Sequence, residues 1–255
     1  MDALLPRPLL PPEGVVRVVA APLDLPPEIL ARLAPTLSAD EQARAARFVT
    51  QTLRDHFTAG RGLLRALLGL ATGRAPDSLG FDYGPEGKPR LALGSATAVD
   101  GSPVSFNASH SKGVILVALA RGVEVGVDVE HVQPRSLIEI ADRFFHPDEA
   151  AWVRALPEAG QREGFFSVWS AKEAFIKCTG RGLAQGLSSF KFRCGARGPE
   201  ALQWVEGHPA ERFAFYPLAG PVGFKSALVA DGSVRAVEEH ALPSTAEGLR
   251  GTLWG

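Results

Sequence analysis

Cysteine is nearly absent from this chain of 255 residues: Cys178 and Cys194 stand alone. Two thiols cannot build a disulfide framework or a four-cysteine zinc site, so the expectation is a reducing, cytoplasmic setting with both thiols as core filler. An excess of one charge sign is absent too. Lys and Arg total 27 against 28 Asp and Glu, a net charge of -1. Nucleic-acid and anionic-membrane binders are normally strongly basic, so neither partner is expected. Long apolar runs are also missing. The longest stretch without a charged side chain, Phe213 to Phe224, has 12 residues and two prolines, whereas a membrane-spanning helix takes about 20 apolar residues. The opening MDALLPRPLLPPEG puts Asp2 where a secretory signal is basic and prolines where it is apolar, so no export signal is expected. Lysine is the last scarcity, 6 against 21 arginines, and Lys88, Lys112, Lys172 and Lys177 all fall between positions 88 and 177. Either they cluster by chance, or they mark places that need a compact ammonium rather than a guanidinium fork.

What is present is ordinary globular composition, 45% hydrophobic and 22% charged, in a length suited to one large domain or two small, intimately packed ones. Val15 to Val19 reads as a β-branched strand. Ser38, followed by Asp40 and Glu41, reads as a helix start, and helical spacing of apolar residues continues to about Leu70, with Gly60 and Gly62 as possible breaks. Asp82 to Arg90 is a turn-rich loop. Strands are expected at Leu91 to Leu93, Val104 to Asn107, Val114 to Ala120 and Val123 to Val129, the last two forming a hairpin across Arg121-Gly122. Short helices follow at Leu137 to Phe144 and Asp148 to Leu156, and a longer one from Gln161 to Cys178 that stops at Gly180. Strands are expected again at Phe190 to Arg193, Arg212 to Tyr216 and Phe224 to Val229. Each half thus holds a long helix and antiparallel-looking strands, which predicts an α+β protein of two similar lobes, 1–121 and 122–241, followed by a flexible tail, 242–255.

Three segments carry chemistry. In Gly126-Val127-Asp128-Val129-Glu130 the two acids share one face of a strand, roughly 7 Å apart. They are either a solvated strand end or, with a hard cation between them, a site of the kind magnesium occupies. In the helix FFSVWSAKEAFIKC, Glu173 and Lys177 are four apart, as in an ordinary surface ion pair. Aromatics on both sides of Lys172 and Glu173, however, suggest a largely buried helix whose charges need partners. Asn107-Ala108-Ser109-His110-Ser111 ahead of Lys112-Gly113 is a polar turn, or an anion cradle of hydroxyls, amides and imidazole. Walker-loop, dinucleotide-fold and HExxH fingerprints are missing.

Together with Gly87-Lys88-Pro89 these segments resemble the 4′-phosphopantetheinyl transferase superfamily, in its larger Sfp-type form. The family patterns are a GKP loop, an N-x-SHS turn, a GxDxE strand end and a W-S-x-KE-[SA]-x-x-K helix, here Trp169 to Lys177, all in the same order. SADEQARAARF and Phe144 to Glu149 resemble flanking family segments. The resemblance implies a pseudo-dimer of two α+β lobes, each with a long helix packed on an antiparallel sheet, and coenzyme A bound on the side of the N-terminal lobe. It implies a monomer that transfers phosphopantetheine to a serine of apo acyl or peptidyl carrier domains and releases adenosine 3′,5′-bisphosphate. Asp128, Glu130 and Glu173 would hold magnesium or manganese, Lys177 would neutralise phosphate, and Glu149 or Glu173 would take the serine proton. Lys88, Pro89, Ser109, His110, Lys177, Arg44 and Arg47 match or approach coenzyme A-binding positions. His56 departs from an arginine found in several relatives, with Arg54 close by. A module that only binds coenzyme A and a transferase acting on another nucleotide are the rival readings; the full set of acids and lysines favours the enzyme.

Overall fold

The computed structural model describes residues 5–133, 137–207, 209–232 and 234–255; Asp2 lies outside them. The proline-rich leader buries Leu5, Leu9 and Leu10 before strand β1 (Val15–Pro22). Helices α1 (Pro27–Leu33), α2 (Ala39–Ala46) and α3 (Gln51–Thr72) follow. Ser38 caps α2 in a capping box: its hydroxyl accepts from the Glu41 amide, and the Glu41 carboxylate accepts from the Ser38 amide. The helical run does break, but not at Gly60 or Gly62. Thr50 restarts it by capping α3 through the Leu53 amide, and Gly62 stays helical because its bare Cα faces Leu33, where an added Cβ would lie 2.6 Å from the leucine Cβ.

Strands β2 (Phe81–Tyr83) and β3 (Pro89–Leu91) fold the expected loop into a small hairpin. Then come β4 (Val104–Ser111), β5 (Val114–Arg121) and β6 (Glu124–His131), helices α4 (Ile138–Phe144), α5 (Pro147–Ala155) and α6 (Glu158–Thr179), strands β7 (Phe190–Gly195), β8 (Gly198–Val205), β9 (Phe213–Leu218), β10 (Phe224–Asp231) and β11 (Ala236–Ala241), and helix α7 (Ala246–Trp254).

Two sheets, β11-β1-β5-β4 and β6-β10-β9, lie face to face between α3 and α6. Side-chain alternation builds these layers. On β5, Ile115, Val117 and Leu119 share a core with Leu63, Leu67 and Leu68 of α3. Leu116, Ala118 and Ala120 share another with Val125, Val127 and Val129 of β6. On β10, Leu228 and Ala230 join that inner core, while Ala227 and Val229 meet Ala171, Ala174 and Phe175 of α6. A strand covered on both faces reads as a continuous apolar run, which is why VILVALA shows no polar alternation. The two lobes repeat one plan. Helices α3 and α6 each have 22 residues and end at a left-handed glycine, Gly73 (φ 70) and Gly180 (φ 68), as the expected pseudo-dimer requires. Burial pushes the thiols of Cys178 and Cys194 up to about 12.

Two expectations are corrected. Arg121-Gly122 is not a hairpin turn: β5 already has β1 and β4 on its two edges, so β6 joins the other sheet and pairs with β10. The hairpin turn is Lys112-Gly113, with φ of 40 and 80. The division at 241 also moves. Strand β11 runs parallel to β1 in the first sheet, and the segment 242–255, expected to fray, folds as α7 with Leu249 and Leu253 buried in the N-terminal core. Its Ser, Thr and Gly content serves the cap, where Thr245 accepts from the Gly248 amide.

Candidate active site

Strand β6 turns Val125, Val127 and Val129 to the inner core and therefore Gly126, Asp128 and Glu130 to α6. Gly126 sets the spacing. An added Cβ would lie 2.1 Å from the Ala174 carbonyl oxygen and 2.2 Å from the Cys178 nitrogen, so only a bare Cα lets the helix backbone rest on the strand. On α6, Trp169, Glu173 and Lys177 follow at four-residue steps and share one stripe. The Trp169 indole donates to Glu130 Oε1 at 3.2 Å. Lys177 Nζ donates to Asp128 Oδ1 at 2.5 Å and to Ser109 Oγ at 2.8 Å. Lys177 thus reaches across to the strand for its partner, rather than closing a helix-surface pair with Glu173.

Ser109 comes from the other lobe, on β4, and its hydroxyl donates to Asp128 Oδ1 at 2.8 Å. Ser111, two residues on, donates to Glu130 Oε2 at 3.3 Å. The junction of β4, β6 and α6 therefore gathers Asp128, Glu130, Glu173 and Lys177. Burial raises Glu130 above the ordinary carboxylate range, and the neighbouring Asp128 adds to it. Burial likewise raises Glu173, with Asp128 and Glu130 contributing repulsion. One ammonium stands against three carboxylates, and Asp128 Oδ2 is buried with no hydrogen-bond partner.

Among the described residues no three His, Cys, Asp or Glu side chains form a ready-made metal cage. The donor set nonetheless fits a hard divalent cation: it offers only oxygen, carries uncompensated negative charge, and includes that orphaned carboxylate oxygen.

The other anticipated residues divide. His110 sits at the exposed end of β4, and desolvation together with the positive fields of Lys177, His56 and Arg44 lowers its pKa. Arg44 lies over the Phe57 ring at 5.3 Å, while Arg47 is exposed at the end of α2. His56 pairs with Asp24 at 2.7 Å. Arg54 donates to the Phe48 carbonyl and to Gln51, bracing the gap between α2 and α3. Lys88 is drawn inward: its ammonium donates to Glu124 Oε2, to the Val125 carbonyl and to the Cys178 carbonyl at 2.7, 3.1 and 3.0 Å, which occupies all three protons. Pro89 opens β3. A cavity of about 600 Å³ lies beside this loop, lined by Glu86, Gly180, Gln185 and Glu206.

Glu149 is placed away from the acids. It is fully buried against Lys172 at 2.7 Å and also accepts from the amides of Phe192 and His146. Lys172 donates further to the carbonyls of Leu187 and Phe190. Trp169, Asn107 and Ser111 carry no individual role in the sequence reading, which places Asn107 and Ser111 within a possible anion cradle and Trp169 only at the head of its motif. The four-residue step from Trp169 to Glu173 to Lys177 was the available signal for the first.

The family model for the 4′-phosphopantetheinyl transferase superfamily matches residues 124–230, which run from β6 through α4, α5 and α6 to β10. A Nostoc protein named 4′-phosphopantetheinyl transferase HetI is 43% identical over 183 residues, covering 71% of this chain and 75% of that one. A Bacillus subtilis 4′-phosphopantetheinyl transferase is 32% identical over 178 residues, covering 69% and 75%. Among solved structures, Thermotoga maritima holo-[acyl-carrier-protein] synthase overlays 44% of this chain and 65% of that one, with a TM-score of 0.35 and 24% identity. With relatives of this identity and coverage beside the family-model match over β6 and α6, the chain belongs to the 4′-phosphopantetheinyl transferase superfamily, among its Sfp-type enzymes.

Proposed function

We propose that this enzyme transfers the 4′-phosphopantetheine arm of coenzyme A to a serine of an apo acyl or peptidyl carrier protein and releases adenosine 3′,5′-bisphosphate. The observation that carries the proposal is the junction itself: Lys177 held by Ser109 and Asp128, two acids with raised pKa, and one orphaned carboxylate oxygen. The serine oxygen forms a bond to the pyrophosphate phosphorus that carries the pantetheine arm, and the bond from that phosphorus to the bridging oxygen breaks. Lys177 donates to a non-bridging oxygen as charge grows there, which acts mainly on the transition state. Glu173, on the α6 stripe one turn from Lys177, takes the serine proton and passes it to solvent. Glu149 is not assigned this step, because Lys172 and two amides already use its lone pairs. Asp128, Glu130 and Glu173 would hold a magnesium or manganese ion, which when bound neutralises pyrophosphate charge and polarises the phosphoryl group.

Coenzyme A lies across the β4 end at Ser109 and His110 with Arg44 nearby; Lys88 supports it through the loop it pins. No described helix is long and apolar enough to cross a membrane, and a cytoplasmic monomer fits the two unpaired thiols and the two lobes that together complete the cleft. The test is direct. Apo carrier protein incubated with the enzyme, magnesium and coenzyme A gains the mass of one phosphopantetheine arm, and adenosine 3′,5′-bisphosphate appears in equal amount. An unmodified carrier under all metal and carrier conditions rejects the assignment.

A further inference from the structure

Strands β4 and β6 are each an outer strand of their own sheet, and they meet without a backbone ladder. Side chains of one bond the amides of the other instead. Asn107 Oδ1 accepts from the Val127 amide at 2.9 Å, Ser109 Oγ from Val129 at 3.4 Å and Ser111 Oγ from His131 at 3.2 Å. Each rung spans 20 residues, so the strands run in the same direction and in fixed register. Amides alternate sides along a strand: one set serves β10, and the set facing β4, buried at Val127 and Val129 and half-buried at His131, would lose its partners without these three acceptors. The middle rung, Ser109, also holds Asp128 and Lys177. The last, Ser111, also holds Glu130. The Asn107 side chain bonds the strand that carries the acids, at the Val127 amide.

We infer that Asn107 and Ser111 are positioning residues for the transfer proposed above: they set the register of the two lobes and so place Asp128 and Glu130 against Ser109 and Lys177. An outer rung displaced by an ångström would carry both carboxylates with it, because the backbone of β6 is what the rungs grip. Loss of such supporting hydrogen bonds at metal sites commonly lowers affinity or activity by about 10- to 100-fold.

The experiment uses Asn107→Ala, Ser111→Ala and Ser111→Thr in the full chain, with manganese alone as the binding probe. In folded Asn107→Ala, hydrogen exchange at the Val127 amide speeds up, manganese affinity by calorimetry falls about tenfold or more, and kcat falls in step, while KM for coenzyme A holds within about twofold. Ser111→Ala does the same at His131, and Ser111→Thr, which keeps the hydroxyl, recovers most of the loss. Folded Asn107→Ala with wild-type manganese affinity and kcat overturns the inference, as does a Ser111→Thr no better than Ser111→Ala. Should Asn107→Ala not fold, the Ser111 pair decides. A wild-type protein that modifies no carrier rejects the transfer reaction, yet amide exchange and manganese titration still report on the ladder.

Discussion

Lys177 and Glu173 lie one turn apart on the same helix and should respond to substitution in opposite ways. Lys177→Met removes the ammonium bonded to Asp128, leaving a buried carboxylate beside two others. We expect turnover to fall by two or more orders of magnitude, about 3 kcal/mol of transition-state stabilisation, and the melting temperature of the metal-free protein to fall as well. Lys177→Arg keeps the charge but not the compact geometry and should recover turnover only in part. Glu173→Gln also lowers turnover, but it removes one repelling acid, so the melting temperature should hold or rise. Glu149 separates from both. It and Lys172 form a pair with no exposed side-chain surface, and breaking such a pair typically costs about 3–5 kcal/mol. Lys172→Met should therefore lower the unfolding free energy read from urea titration by about that amount, and stability, not proton transfer, should be its first casualty.

At the scale of elements, α6 rests its backbone on β6, and a single hydrogen atom decides the contact. Gly126→Ala would place a methyl against helix backbone at Ala174 and Cys178, atoms that cannot swing aside as a side chain does. Overpacking of this kind costs about 1–3 kcal/mol, and the helix that must retreat carries Trp169, Glu173 and Lys177. The expected result is a modest loss in urea stability with a far larger loss of turnover; equal losses in both would mean that α6 tolerates the shift. Helix α7 tests the other lobe. Its Leu249 and Leu253 are almost wholly buried, and each buried leucine contributes roughly 1.5–3 kcal/mol. Truncation after residue 243 should thus remove about 3–6 kcal/mol, a large part of a typical domain's stability, visible as a lowered melting temperature or insoluble expression.

The whole molecule should record the strained acids in its pH dependence. Glu130 and Glu173 are held above their ordinary range, so between about 4.3 and their raised values the folded state binds more protons than the unfolded one. Their contribution to stability falls as pH rises through that window and stays low above it. Glu41, paired with Arg65 and Arg61, and Glu238, paired with Arg17, act in the opposite sense, losing stabilisation as pH drops below the ordinary carboxylate range. Melting curves of wild type minus Glu173→Gln, taken without divalent ions from pH 4 to 8, isolate the effect and should diverge as pH rises. Adding magnesium at neutral pH should narrow that gap, whereas at the acid end it should do little.

Local signals carried much of this into view from the sequence. The Ser38 cap, the Gly180 stop, the β-branched runs and the GVDVE, NASHS and WSAKEAFIK segments each state their own chemistry within a few residues, and the α+β two-lobe plan followed from their order. What pairs with what did not follow, because partner choice is a long-range decision. Strand β5 could not form a hairpin with β6 once β1 and β4 occupied its edges. AVEEHA became a strand only because β1 offered an edge, and the polar tail became a helix only because the N-terminal core had room for two leucines. The same holds in the site: Glu149 and Glu173 look alike in sequence, and Lys88 and Lys177 equally so. Tertiary packing tied Glu149 to Lys172 and backbone amides, and Lys88 to backbone carbonyls and Glu124, while Glu173 and Lys177 stayed at the junction, since burial and hydrogen-bond partners, not residue type, set what an ionisable group can do.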